Sequence, residues 1–106
     1  MSRFDQNQKD GIQELLDAIL SLQDMEECQA FFSDLCTMQE LISFSQRLQV
    51  AKRLLNDETY ETIRSHIPVS STTITRINTA LQYGAGGYQK VLCREKSAQA
   101  NDTTEK

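Results

Sequence analysis

No stretch of the chain approaches the roughly 20 consecutive apolar residues that a membrane-crossing helix needs, and the opening MSRFDQNQKDG lacks the apolar core of a secretion signal. Both absences place the expected protein in the cytoplasm, without a membrane partner. The three cysteines, Cys28, Cys36 and Cys93, are scattered with no C-x-x-C pair, and His66 is the sole histidine. Such a set gives no metal-ligand cluster. The thiols read as reduced and structural, because free cysteine mostly behaves as a small buried hydrophobe. Also missing are a nucleophile and base at a recognisable spacing and a Gly-rich phosphate loop ahead of a helix, so neither an enzyme nor a cofactor is expected. No segment carries a strand pattern and no internal repeat is present, which leaves an all-α chain.

With 106 residues the chain is long enough for one domain, expected over residues 1–94 and followed by a disordered tail, EKSAQANDTTEK, that has no apolar periodicity. A lone domain of this size buries a modest core unless a second chain adds to it, so dimerisation is expected. The formal charge of -4 conceals a division along the chain. Residues 1–40 hold nine acids and two bases, a net of -7, whereas residues 41–96 hold eight bases and four acids, a net of +4. Phosphate neutralisation depends on local Lys and Arg, so an acidic total is compatible with nucleic acid and predicts weak non-specific binding.

Apolar periodicity marks out the helices. Ile12, Leu15, Leu16, Ile19 and Leu20 recur at spacings of three and four, predicting a helix with one buried face and Asp10 as its N-cap. A second start follows at Asp24, with Glu27 completing a variant capping box ahead of Cys28, Phe31, Phe32 and Leu35. Thr37 and Glu40 repeat that arrangement before the longest helix, whose predicted core stripe is Leu41, Phe44, Leu48, Ala51 and Leu55. After an Asn56-Asp57 corner, Tyr60, Ile63 and Ile67 predict a short helix that Pro68 stops. Ser70 or Ser71 then caps a helix with Ile74, Ile77, Leu81 and Ala80 inward and Thr72, Thr73, Thr75, Arg76 and Thr79 outward. The segment Gly84-Ala85-Gly86-Gly87 ends it, and Tyr88 to Arg94 predicts a closing helix with Val91 and Leu92 on one side.

The outward face of that fifth helix is a poor choice for stability. Threonine ranks below alanine by several tenths of a kcal/mol per helical residue, so the run costs on the order of 2 kcal/mol. Two short amphipathic helices around Pro68 suit a helix-turn-helix, whose second helix offers short polar side chains to the DNA major groove. No acid occurs between Glu61 and Glu95, a window of 33 residues. A surface selected only for solubility mixes both signs, so this window favours a polyanion partner. The expected DNA-binding residues are Ser70, Ser71, Thr72, Thr73, Thr75, Arg76 and Thr79. Arg76 can contact a phosphate or a guanine edge, and the hydroxyls of Ser70 to Thr73 face phosphate at a helix N-terminus. His66 reads as the last-turn cation of the preceding helix.

The run from Leu35 through Leu81 resembles the tryptophan repressor family, most closely its YerC/YecD-like branch. The residues that carry this are Thr37, Ser45-Gln46-Arg47-Leu48, the Leu54-Leu55 pair and Ser71-Thr72-Thr73-Ile74-Thr75-Arg76-Ile77. The likeness extends from about residue 13 to residue 93, and its most specific element is Thr73-Ile74-Thr75-Arg76, which looks like the family's recognition helix. The resemblance implies a six-helix subunit intertwined as a homodimer, a helix-turn-helix reading a palindromic operator in double-stranded DNA, and control of transcription as a repressor. In the founding repressor an amino-acid corepressor is held by two arginines corresponding to Arg47 and Arg76, beside a threonine matching Thr37. Two positions depart. A glycine just after the second arginine is Ile77 here, and a serine that helps hold the ligand's amino group is Ala80, which has no acceptor. An unpaired ammonium in a partly buried pocket costs about 1 to 3 kcal/mol, so tryptophan is not the expected corepressor. The resemblance thus outlines an effector pocket of Thr37, Arg47, Arg76, Ile77 and Ala80 whose small-molecule ligand is unknown. The competing reading is a helical protein-interaction module without DNA-binding activity, in which the acidic first forty residues dock a basic partner.

Overall fold

Side-chain caps decide where the helices start. Asp24 accepts the Glu27 N–H at 2.8 Å, and the Glu27 carboxylate reaches back to the Gln23 N–H at 3.1 Å. Thr37 and Glu40 form the reciprocal box, with Glu40 N donating to Thr37 Oγ1 at 3.1 Å and Thr37 N donating to Glu40 Oε1 at 2.8 Å. Thr59 caps through the Thr62 N–H and Ser70 through the Thr73 N–H. The computed structural model describes residues 6–94, and among these it shows six helices and no strand. They are α1 (Gln6–Leu20), α2 (Met25–Leu35), α3 (Met38–Leu55), α4 (Tyr60–His66), α5 (Ser71–Tyr83) and α6 over residues 87–94. The tail expected at 95–106 lies outside the described residues. The chain divides between Leu41 and Ile42, inside α3, into two compact units.

In the first unit α1 starts by Gln6, one turn earlier than expected, so Asp10 lies within the helix and accepts a hydrogen bond from Gln6 Nε2 at 3.0 Å. The expected buried face is not buried. Neither α1 nor α2 contains a buried residue, and Ile12, Leu15, Leu16 and Leu20 are all exposed. Phe31 and Phe32 meet edge to face with centroids 5.5 Å apart. The physical reason is supply: periodicity reports that a helix has an apolar stripe, while burial requires a second surface to cover it. The thiols behave alike, Cys28 and Cys36 being half-buried and Cys93 exposed.

The second unit holds the core. Val50 and Ala51 of α3, Ile63 of α4, Ile67, Ile74 and Ile77 around and within α5, and Leu92 of α6 form one buried cluster, with Leu54, Tyr60, Val69, Leu81 and Tyr88 packed against it. The stripe expected along α3 is rotated. Ala51 is buried as expected, but Phe44, Leu48 and Leu55 are exposed and Val50 and Leu54 turn inward instead. On α6 only Leu92 is buried, and Val91 is exposed, because adjacent helical residues project about 100° apart.

Two corners are fixed by backbone geometry. At the end of α3 the Asp57 N–H bonds the Leu54 carbonyl at 3.0 Å and the Glu58 N–H bonds the Arg53 carbonyl at 3.1 Å, with Asp57 in the left-handed region at φ 64. This is a Schellman ending, which usually places glycine at that position. The ion pair between Arg53 Nη1 and Glu58 Oε1, 2.9 Å, closes the same corner. After α5, a Cβ at Gly84 would lie 2.4 Å from the Ala80 carbonyl oxygen, and Gly86 has φ +83, so both need glycine. Gln89 Nε2 donates to the Leu81 carbonyl, one of the four at that helix end that no in-helix donor serves.

Candidate nucleic-acid interface

Four residues join α4 to α5. Ile67 leaves the helical region at φ -127, ψ 127, as a residue preceding proline must, while its N–H still reaches the Ile63 carbonyl at 2.9 Å. Val69 N donates to the Ile67 carbonyl at 2.8 Å. Ile63 and Ile67 on one side and Ile74 and Ile77 on the other are buried in one cluster, which holds the two helices against each other. At the end of α4, His66 Nδ1 lies 2.9 Å from the Thr62 carbonyl, so the imidazole serves the last turn as expected.

Burying Ile74 and Ile77 turns the opposite face of α5 outward. Ser71, Thr72, Thr75, Arg76 and Thr79 are exposed, spaced one, four, five and eight residues from the first, and so share one face. Their hydroxyls differ. The Thr79 hydroxyl donates to the Thr75 carbonyl at 2.9 Å, whereas those of Ser71, Thr72 and Thr75 make no hydrogen bond with a described residue. Ser70 and Thr73 are paired with each other, Oγ to Oγ1 at 3.1 Å, so these two hydroxyls serve the cap. The Arg76 guanidinium makes no ion pair or hydrogen bond with a described residue.

A cleft of about 390 Å³ opens beside this face, lined by Ser43, Gln46 and Arg47 of α3, by Pro68, Val69 and Ser70, and by Thr73, Arg76 and Ile77 of α5. Its lining carries two cations and no acid, so it suits an anionic group, whether phosphate or carboxylate. Arg47 is braced on its own helix, with its guanidinium 5.1 Å from the Phe44 ring centroid and Nη2 donating to Ser43 Oγ at 3.4 Å. Of the five expected pocket residues, Arg47, Arg76 and Ile77 line this one cleft. Ala80 does not, and Thr37 serves α3 as its cap. Ile77 has two neighbourhoods, since it is 2 % exposed within the core and also lines the cleft.

The family model for Trp repressor protein matches residues 10–96. The chain belongs to the Trp repressor protein family. Within the Trp repressor family it is 40% identical over 93 residues to YerC of Bacillus subtilis (strain 168), an uncharacterized protein, covering 88% of this chain and 89% of YerC. That identity supports the YerC-like branch. Two solved folds agree: a TrpR-like protein from Eubacterium eligens ATCC 27750 superposes with TM-score 0.78 at 42% identity, covering 82% of this chain and 90% of that one. A candidate Trp repressor from Staphylococcus aureus superposes with TM-score 0.78 at 44% identity, covering 88% and 96%. The six helices without a strand are thus the Trp repressor fold, and the family is regulatory rather than enzymatic.

Ser43, Gln46, Pro68 and Val69 line the cleft without having been expected in an effector pocket. Ser43 was findable, because it lies four residues before Arg47, a spacing that puts both on one helix face. The connection residues were not, since which way a four-residue turn opens depends on the packing of the helices it joins.

Proposed function

We propose that this protein is a sequence-specific, repressor-like transcriptional regulator that binds double-stranded DNA as a homodimer, using α4 and α5 as a helix-turn-helix with α5 as the reading helix. One observation carries this: an exposed row of short hydroxyl side chains surrounds Arg76, which has no partner within the described chain, inside a 33-residue window free of acids. A phosphate backbone is the natural complement of such a surface. Ser71, Thr72, Thr75, Arg76 and Thr79 face the groove, while Ser70 and Thr73 order the helix start beneath the phosphates. The operator is palindromic, with half-sites about one helical turn apart, as twofold symmetry dictates. The exposed apolar residues of α1 and α2 supply the reason for a second copy, because so much uncovered apolar surface is unusual on a soluble monomer.

In this reading residues 1–94 act as one functional domain in the cytoplasm, and among the described residues no helix is long and apolar enough to cross a membrane. The cleft of Arg47, Arg76 and Ile77 is the effector position, and its ligand carries an anionic group and is not tryptophan, since Ile77 stands where the tryptophan-binding members have a glycine. The test is a gel shift with selected duplexes. Arg76→Ala should weaken specific binding by about 1 to 3 kcal/mol with unchanged helicity, and the affinity should fall steeply as salt rises. Absence of sequence-dependent binding at any salt overturns the proposal in favour of the protein-interaction module, whose partner would engage the acidic residues 1–40.

A further inference from the structure

The hydroxyl inventory of α5 separates residues that would otherwise look equivalent. Ser71, Thr72 and Thr75 present hydroxyls with no partner among the described residues, whereas the Thr79 hydroxyl is turned back onto the Thr75 carbonyl at 2.9 Å. A threonine has two groups on Cβ. When the hydroxyl proton is bound one turn back it can no longer be donated to a partner, and the methyl becomes the more available group of an exposed residue. Thr79 is exposed, and it follows Ser71 and Thr75 at successive four-residue steps along the outward face. From Ser71 to Thr79 the face runs about 12 Å along the helix axis, which is about three to four base pairs at ~3.4 Å each. A methyl at the far end of such a row meets its chemical complement in the thymine C5-methyl, the one apolar group on a base edge in the major groove.

We propose that Thr79 is a specificity-determining residue that recognises a thymine methyl at one position of each half-site, while Thr72, Thr75 and Arg76 read by hydrogen bonding. This rests on the reading of α5 as the DNA-facing helix. The proposal also divides the face by chemistry. Its hydroxyl end should tolerate changes that preserve a donor or acceptor, and its Thr79 end changes that preserve a methyl.

The test begins with selection of preferred duplexes from a random pool by the full-length protein. Each thymine of the preferred half-site is then replaced singly by deoxyuridine, which removes only the methyl. At one position the affinity should fall about fourfold per half-site, the loss expected for one buried methyl group. Thr79→Ser, which keeps the back-bonded hydroxyl, should bind the thymine operator about fourfold more weakly and lose discrimination against deoxyuridine at that position alone. Thr79→Val, which keeps a methyl and loses the hydroxyl, should retain both the affinity and the discrimination. Circular dichroism confirms that each variant is helical. The proposal is overturned by a preferred half-site without thymine, by indifference to every deoxyuridine, or by a Thr79→Ser variant that discriminates as the parent does. A pool that yields no preferred sequence overturns the DNA reading itself, which distinguishes that failure from a failure of the Thr79 assignment.

Discussion

The two units of this chain are built from similar helices and have opposite interiors. Residues 42–94 contain every buried side chain among the described residues, seven apolar groups in one cluster. The first unit has comparable apolar periodicity, and at most half-buries its apolar residues. Charge divides at nearly the same place, with a net of -7 over residues 1–40 and +4 over residues 41–96. An amphipathic pattern is therefore a statement about demand for cover. In the second unit α3 to α6 meet that demand within one chain, and in the first unit nothing in α1 or α2 does.

The core of the second unit is most sensitive at Ile74, which has no exposed surface. Ile74→Ala should cost about 2 to 5 kcal/mol in urea unfolding, because deleting those methyl groups leaves a cavity among Ile63, Val50 and Ile77. A cost near zero would mean that the second unit is not the stabilising one. Next in size is Leu16→Lys on the exposed stripe of α1. If a second copy covers that stripe, the charge should raise the dimer dissociation constant at least tenfold, about 1.4 kcal/mol, measured by sedimentation; an unchanged association state would leave the first unit uncovered. The smallest effect is at the corner of α3. Asp57→Gly relieves a left-handed conformation that costs a residue with a Cβ roughly 1 to 2 kcal/mol, offset by the freer unfolded chain, for a net gain of about 0.5 kcal/mol in thermal unfolding.

Signals confined to a few residues were legible. Asp24 with Glu27 and Thr37 with Glu40 each start a helix where the sequence places them, and of the two serines expected to cap α5 it is Ser70 that does so, because a cap is a bond between residues three apart. Pro68 likewise ends α4 by a steric clash with its immediate neighbour. The α1 start was misplaced, since Asp10 is a good cap residue that happens to lie one turn inside a helix. The α3 stripe failed for a different reason. Phe44 and Leu48 have the spacing of a core face, yet this chain covers the side of Val50 and Ala51, and coverage is decided by α4, α5 and α6 rather than by α3. At the candidate site the same contrast holds: Arg47, Arg76 and Ile77 converge on one cleft, while Ser43 and Gln46 enter it from the face of α3 that carries Arg47.

The connection between α4 and α5 has one consequence for any molecule that docks there. Ile67 and Val69 use their amide hydrogens internally, and Pro68 has none. A turn tied in this way to α4 and to itself is ordered before an encounter, so association does not have to freeze it. Docking there should be fast to lock and sparing of entropy, with discrimination left to the side chains of α5.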